Sequence, residues 1–257
     1  MLGGDRTEPG LLRRAAAGAW NVPAGFLFLA RRPSLWPLSV LPAGLGAILL
    51  LGGFLLGLYC GPAVETAMLR RFGALPEWLS VAIALAAWVG TVGAGVFTGL
   101  AIALLLTAPV LDLLSRSVEA LVEGRRLDAG GGLRWEVAQS LRGALYFLAR
   151  APGILLVGLV PLVGPALSAL WAAHALAFQN TDAALARRGL DFAARRAWHR
   201  RFRAESLSLG LAGLITLLVP CGGFVLAPAL VTGGTLLVSE LTEAEETPPV
   251  TSVGGED

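Results

Sequence analysis

The charged residues divide this chain into four long stretches that contain no Asp, Glu, Lys or Arg. They are residues 33–64, 78–111, 151–181 and 206–239. A helix that spans the hydrocarbon core of a bilayer needs about 20 apolar residues, so each stretch is long enough to enter a membrane. With 55% hydrophobic and 15% charged residues, the chain has more apolar surface than a soluble core could bury. The sequence therefore predicts an all-α integral membrane protein.

The first two stretches contain the clearest spanning helices, at about residues 35–58 and 79–106. Trp36, Tyr59 and Trp78 lie near their ends, where aromatic side chains favour the membrane–water interface. Both helices contain several glycines. These predict close packing between neighbouring helices rather than a ligand site.

The third and fourth stretches are each interrupted near the centre. The interruptions are Pro161-Leu-Val-Gly164-Pro165 and Pro220-Cys-Gly-Gly223. Because proline removes a backbone donor and clashes with the preceding turn, each stretch reads as two short helices joined by a bend. Each half is about 22 Å long at about 1.5 Å per residue, against a hydrocarbon core of about 30 Å. A hairpin that enters the bilayer and returns fits this length, and a single kinked spanning helix is the alternative.

The distribution of arginine favours the hairpins. Every basic residue is arginine, and if only the first two stretches cross, all except Arg70 and Arg71 lie on one face of the membrane. Basic residues concentrate on the cytoplasmic side of membrane proteins. The sequence therefore predicts two long transmembrane helices plus two re-entrant helical hairpins in one membrane domain, residues 1–239. The acidic residues 240–257 are predicted to form a disordered tail.

No catalytic, metal or cofactor site is predicted, and the chain is not expected to be an enzyme. Its two histidines, His174 and His199, and its two cysteines lack metal-ligand spacing, and no nucleophile or nucleotide-binding motif is present. His174 is the one ionisable residue in the four stretches, either a functional group or a neutral structural histidine. The arginines lie between apolar runs, so membrane lipid rather than nucleic acid is the expected partner.

Two polar segments lie beside the apolar stretches. Their charged and turn residues are Asp112, Arg116, Glu119 and Glu123 in the first, and Asp182, Arg187, Arg188 and Gly189 in the second. The first predicts an amphipathic extension of the second membrane helix with weak intrahelical ion pairs. The second has the order of residues typical of a helix end. Its arginine pair is expected to bind lipid headgroups or an anion, acting in structure rather than in selectivity.

Both segments resemble the signatures of the CysZ and etoposide-induced protein family. The matching runs are Ala108-Pro109-Val-Leu-Asp112-Leu-Leu-Ser-Arg116-Ser-Val-Glu119 and Asp182-Ala-Ala-Leu-Ala-Arg187-Arg188-Gly189-Leu-Asp-Phe192. The resemblance extends over residues 18–237. It implies two long spanning helices, two helix pairs that enter part of the bilayer, and a homo-oligomer. It further implies sulfate transport across the bacterial inner membrane.

One position departs from the family pattern. Sulfate-handling members carry a Gly-Leu-Arg-like motif just after the first helix's proline, where this chain has Ser34, Leu35, Trp36 and Pro37. Arg31 and Arg32 precede that proline and are the candidate replacement. Together with Ser34, Leu35 and Trp36, whose amides open the helix, they form the predicted anion site.

Two functions compete at this point. The leading prediction is a membrane permease or channel for sulfate or a related small oxyanion. The alternative is a non-transporting membrane scaffold or stress-linked protein of the same fold, which the missing motif arginines favour.

Overall fold

Helices make up all the regular secondary structure that the computed structural model describes, so the all-α prediction is confirmed for residues 10–73, 76–124, 133–161, 163–217 and 222–246. In chain order they are α1 (Leu11–Ala30), α2 (Trp36–Phe72), α3 (Glu77–Glu123), α4 (Leu133–Gly158), α5 (Val163–Arg187), α6 (Phe192–Arg201), α7 (Arg203–Leu217) and α8 (Gly222–Glu246). A short 3-10 turn, Pro33–Leu35, precedes α2. The chain divides into two compact units, one of residues 36–113 and one of residues up to 35 together with those from 114 onward.

Within the described residues, three segments are long and apolar enough to cross a membrane: Pro33–Phe72, Glu77–Glu123 and Leu141–Gly158. The first two contain the predicted spanning helices, and α2 and α3 are 37 and 47 residues long. At about 1.5 Å per residue both exceed a hydrocarbon core of about 30 Å. They are longer than predicted because each continues to a glycine with left-handed backbone, Gly73 (φ 72°) and Gly124 (φ 67°). The third segment is an additional candidate, which combines the end of the polar segment before residue 151 with the first half of the third uncharged stretch.

The unit of residues 36–113 is an antiparallel pair formed by α2 and most of α3. A Cβ added to Gly95 would lie 2.1 Å from the Gly53 carbonyl oxygen, and one added to Gly57 would lie 2.5 Å from Val92 Cα. No side chain fits at such distances, so the glycines bring the two backbones into contact, as predicted. Further along, the Trp88 indole Nε1 donates to Glu65 Oε2 over 2.9 Å.

Small residues also hold together the unit that contains α1 and α4 to α8. A Cβ added to Gly233 of α8 would lie 2.3 Å from the Asn21 carbonyl oxygen of α1, and one added to Gly234 would lie 2.3 Å from the Asn180 carbonyl oxygen of α5. These contacts leave no room for larger residues. The buried apolar side chains between α1, α7 and α8 are Val22, Leu209, Leu230 and Leu237. Helix α1, which the charge pattern does not single out, is thus part of this core.

The third stretch contains two helices, as the positions of Pro161 and Gly164 predict. α4 ends at Gly158 and α5 begins at Val163. Tyr146 lies 6.3 Å from Trp171 between ring centroids and Gly158 faces Ser168, so α4 and α5 run antiparallel. α7 ends at Leu217 and α8 begins at Gly222. The intervening residues 218–221, predicted to be the tip of the last hairpin, lie outside the described residues, as do residues 247–257. α8 continues past residue 239 to Glu246.

Candidate functional site

The end of α5 turns the chain sharply and fixes the positions of two arginines. Gly189 has φ 75°, and its N–H donates to the Ala186 carbonyl oxygen over 2.9 Å. The Leu190 N–H donates to the Leu185 carbonyl oxygen over 3.3 Å, which completes a Schellman motif, and Leu190 packs beside Leu185. α5 ends at Arg187, as the order Arg187-Arg188-Gly189 predicts.

Glu119 of α3 accepts hydrogen bonds from both of these arginines. Arg187 Nε donates to Glu119 Oε2 over 2.5 Å, and Arg188 Nη1 donates to Glu119 Oε1 over 2.6 Å. The side chains of Arg187 and Glu119 are 2% and 1% exposed. Buried charges persist in proteins when they are paired and hydrogen bonded, as these are. The three side chains therefore connect the end of α3 to the end of α5.

Glu123 and three hydroxyl groups extend this connection to α8. Arg188 Nη2 and Ser239 Oγ both donate to Glu123, the latter over 2.9 Å. Arg187 Nη2 donates to Ser115 Oγ over 2.5 Å, and Ser115 Oγ shares a 2.8 Å hydrogen bond with Thr235 Oγ1. We call this cluster the polar clamp. Its members are Ser115, Glu119, Glu123, Arg187, Arg188, Thr235 and Ser239.

The polar clamp contains as many carboxylates as arginines. Each guanidinium already donates to a carboxylate, so the positive charge of the arginines is balanced within the protein. The clamp is therefore a structural connection among three helices. Glu119 and Glu123 accept hydrogen bonds from Arg187 and Arg188. Such buried charge-assisted bonds are stronger than the exposed intrahelical pairs expected from the sequence. The contacts fit the structural role expected of the arginine pair, and its binding of lipid headgroups or an anion stays a prediction.

The remaining members of the two polar segments take other positions. Asp182 Oδ1 accepts from Arg195 Nη1 over 2.6 Å, and Arg195 Nε donates to the Leu190 carbonyl oxygen over 2.8 Å. Asp182 thus stabilises the turn between α5 and α6. Arg116 has an exposed side chain, and Asp112 belongs to the unit of residues 36–113. Asp112 and Arg116 are not among the residues by which the polar clamp is defined.

Sequence reasoning missed His199, which is a buried bridge between α5 and α7. Its Nε2 lies 3.1 Å from Thr181 Oγ1 and its Nδ1 lies 2.5 Å from Ser206 Oγ. Burial, and secondly the nearby His174 ring, lower the pKa of His199 from 6.5 to about 3, so the ring is neutral near pH 7. The surrounding arginines suggest an exposed segment. One feature of the sequence could have predicted the burial of His199, namely helical spacing. His199 follows Arg195 by one helical turn, and Arg195 is also buried.

A cleft of about 890 Å³ lies beside the polar clamp. Its charged lining residues are Glu123, Arg187, Arg188, Arg201, Glu243 and Glu245. Arg201 Nη1 lies 2.8 Å from Glu245 Oε1. Carboxylates and guanidinium groups are present in equal number, so this cleft has little net attraction for a small anion.

The predicted anion site begins at the end of α1. The Arg31 N–H donates to the Leu27 carbonyl oxygen over 3.1 Å, and Arg32 Cζ lies 4.4 Å from the Phe28 ring centroid. Both arginines border a cavity of about 670 Å³, whose other lining residues are Trp20, Ala24, Leu27, Phe28 and Leu236. Across the part of the chain that the structure describes, neither guanidinium is paired with a carboxylate. Arg31 and Arg32 differ in this respect from Arg187 and Arg188.

The other three predicted site residues contribute less to this cavity. Ser34 is exposed, whereas Leu35 is buried and its N–H donates to the Arg32 carbonyl oxygen over 3.0 Å. That amide is therefore engaged within the turn. Trp36 is the first residue of α2 and belongs to the unit of residues 36–113. Of the described residues that line the cavity, Arg31 and Arg32 are the charged ones.

Comparison with known proteins gives consistent matches over most of the chain. The family model described as sulfate transporter CysZ/etoposide-induced protein 2.4 matches residues 22–228. A protein named sulfate transporter CysZ from Pseudomonas fluorescens strain Pf0-1 is 30% identical over 227 residues, which cover 82% of this chain and 88% of that protein. Proteins of the same name from Pseudomonas fluorescens strain SBW25 and Pseudomonas paraeruginosa strain PA7 are each 30% identical over 152 residues. These matches cover 54% of this chain and 59% and 61% of those proteins.

Proposed function

This chain belongs to the sulfate transporter CysZ/etoposide-induced protein 2.4 family, and we propose that it is a membrane permease for sulfate or a closely related oxyanion. Within the structure, the main support for this proposal is the cavity at the end of α1. It is bordered by Arg31 and Arg32, and none of the described residues that line it is a carboxylate. A cavity with positive charge and no competing acid attracts an anion from solution.

A doubly charged oxyanion loses most of its hydration when it leaves water, and this costs many kcal/mol unless protein donors replace the water. Arginine is suited to this role because its planar guanidinium donates two parallel hydrogen bonds to an oxyanion. In the proposed site, Arg31 and Arg32 supply these bonds where the anion enters. The polar clamp holds the surrounding helices in place and does not bind the transported ion.

The proposed arrangement in the bilayer has α2 and α3 crossing it, while the α4–α5 and α7–α8 pairs enter from one side and return. The chain carries no Asp, Glu or Arg between Arg150 and Asp182. Leu156 and Leu159, near the turn between α4 and α5, are 68% and 79% exposed. From Arg150 to that turn α4 rises about 13 Å, roughly half of a 30 Å hydrocarbon core. A full crossing by Leu141–Gly158 would instead bring Arg150 into hydrocarbon, at a cost of several kcal/mol.

The turns of such hairpins must be shielded by protein or by a water-filled cavity, because unsatisfied backbone groups in lipid are costly. We therefore expect a second copy of the chain to cover them, in a homo-oligomer within the bacterial inner membrane. The transport pathway would then be completed by protein on all sides.

Uptake by purified protein in liposomes tests the proposed function. The full chain is reconstituted, and entry of labelled sulfate is followed beside sulfite, thiosulfate and phosphate. Sulfate uptake well above that of protein-free liposomes is the expected result. If none of the four anions enters faster than in protein-free liposomes, the proposal fails and the non-transporting scaffold becomes the better assignment.

A further inference from the structure

Tyr146 of α4 is in contact with two arginines from different helices. Arg150 Cζ lies 3.7 Å from the centre of the Tyr146 ring, and Arg196 Cζ of α6 lies 4.6 Å from the same point. Arg150 Nη1 also donates to the Tyr146 carbonyl oxygen over 3.1 Å. Because both distances are measured to the same ring centroid, their sum is the largest possible separation of the two guanidinium carbons. Two positive charges from α4 and α6 therefore lie around a single aromatic side chain.

Neither arginine has a carboxylate partner among the residues that the structure describes. This contrasts with the neighbouring Arg195, which is paired with Asp182. Two like charges this close repel each other, and cation–π contacts offset only part of that repulsion. A phosphate group beside Arg150 and Arg196 would offset the repulsion. The two arginines therefore carry positive charge that an anion from outside the chain can balance.

The position of this pair indicates what that partner is. Residues 151–170 follow Arg150 and contain no charged side chain. The exposed apolar side chains of this hairpin include Leu156, Leu159, Val160, Val163 and Leu167. Trp171 lies at the level of Tyr146, where aromatic side chains mark a membrane interface. A surface that is apolar beyond Arg150 and basic at Arg150 and Arg196 matches a phospholipid, with its acyl chains beside the hairpin and its phosphate at the arginines.

We propose that Arg150 and Arg196, held by the Tyr146 ring, bind the phosphate group of an anionic phospholipid. This site is separate from the cavity at Arg31 and Arg32. It requires that the α4–α5 hairpin lies in the membrane, but not that the protein transports an anion. A lipid bound there would fix the depth of the hairpin and link α4 to α6.

The test is lipid binding by the full chain in detergent micelles, measured by native mass spectrometry during titration with phosphatidylglycerol. We expect Arg150→Gln and Arg196→Gln each to weaken binding about fivefold, from a contribution of about 1 kcal/mol per arginine at an anionic membrane surface. Arg200→Gln is the matched control, since it removes an exposed arginine one turn beyond Arg196 and should change affinity less than twofold. Tyr146→Leu should weaken binding, whereas Tyr146→Phe, which keeps the ring, should not.

Three results would overturn the proposal. One is an equal loss with Arg200→Gln, which would mean that only overall charge matters. Another is equal affinity for phosphatidylcholine, which carries no net charge. The third is displacement of the lipid by inorganic phosphate at the same concentration, which would make this a site for free anions. If Arg196→Gln loses helix content, Arg150→Gln decides, because the Arg150 side chain is exposed. Sulfate uptake is not part of the readout, so failure here is distinct from failure of the proposed transport.

Discussion

Arg187 and Glu119 are 68 residues apart in the chain, yet Arg187 Nε lies 2.5 Å from Glu119 Oε2, with both side chains almost fully buried. Glu119 sits near the end of a 47-residue helix, and Arg187 is the last residue of α5. Their pairing therefore holds the end of α3 beside α5. Because buried charges are costly without partners, the pair makes this arrangement specific: other packings would leave one charge unsatisfied.

Replacing both clamp arginines should reduce stability rather than change anion preference. In the Arg187→Gln/Arg188→Gln variant Glu119 loses both of its positive partners while it stays buried. We expect the free energy of unfolding to fall by about 3–5 kcal/mol, typical of a broken buried ion pair. Unfolding in detergent, followed by circular dichroism, measures the loss, with Arg200→Gln as an exposed-arginine control. Normal stability together with a changed ratio of sulfate to phosphate uptake would contradict the structural role of the clamp.

The glycine contact between α2 and α3 predicts a contrast between two neighbouring positions in α3. A Cβ at Gly95 would lie 2.1 Å from the Gly53 carbonyl oxygen, whereas a Cβ at Gly93 would have nothing within 4 Å. Gly95→Ala should therefore destabilise the protein by about 1–3 kcal/mol, the usual cost of overpacking, and Gly93→Ala should be neutral or slightly stabilising because alanine favours helix. Melting temperatures of the two variants in detergent are the measurement. Equal melting temperatures would show that α2 and α3 do not touch there.

Because His199 is buried and neutral, we expect the protein to lose stability when the pH is lowered. Burial lowers the pKa of His199 to about 3 in the folded protein, from 6.5 for an exposed histidine. Between these values the unfolded state binds more protons, so stability is retained above about pH 6.5 and falls as the pH drops below it. The slope approaches about 1.4 kcal/mol per pH unit, which amounts to about 2 kcal/mol at pH 5.

The comparison that checks this is unfolding of the native chain and of His199→Gln at pH 7.5 and pH 5. Glutamine keeps a polar side chain between Thr181 and Ser206 but does not titrate. The native chain should lose about 2 kcal/mol more than the variant over this interval. If both lose the same amount, other groups control the acid sensitivity.

Much of the helical framework was predictable, since the uncharged stretches identify α2 and α3, and the prolines place the interruptions that separate α4 from α5 and α7 from α8. The lengths of α2 and α3 were not, because helix continues through polar residues until Gly73 and Gly124. Helix α1 was missed because its apolar run, between Arg14 and Arg31, is shorter than the stretches used to define membrane segments.

The functional residues were less predictable than the helices. Spacing within one helix suggested that Glu119 pairs with its own neighbours, and no local pattern points to Arg187, which reaches it only in the folded chain. The same limit applies to Tyr146, whose arginine partners come from α4 and α6. The sequence points to Arg31 and Arg32 because they directly precede Pro33, next to the position of the family motif, and their binding of an anion stays a prediction. The engagement of the Leu35 amide by the Arg32 carbonyl oxygen required coordinates.

The proposed arrangement of hairpins predicts that both ends of the α7–α8 pair lie on the same side of the membrane. Reporter tags inserted near Arg203 and after Glu246 should both be cytosolic, because a pair that returns brings its two ends to one face. Fluorescent and alkaline-phosphatase fusions at each position report the side. Opposite sides for the two tags would mean that this part of the chain crosses the bilayer.

The last prediction concerns the two arginines at the end of α1. Arg31 and Arg32 border a cavity without a carboxylate in its lining, so their positive charge is available to an anion. Each hydrogen-bonded contact between a guanidinium and a charged oxygen contributes about 1.5–3 kcal/mol, which corresponds to a tenfold or greater loss of affinity per arginine removed. Arg31→Ala/Arg32→Ala should therefore abolish sulfate uptake into liposomes, while each single variant should raise the sulfate concentration needed for half-maximal uptake at least tenfold. Arg13→Ala is the matched control, since Arg13 is an exposed arginine at the opposite end of α1. Uptake that persists in the double variant, or that falls equally in Arg13→Ala, would place the anion site elsewhere in the chain.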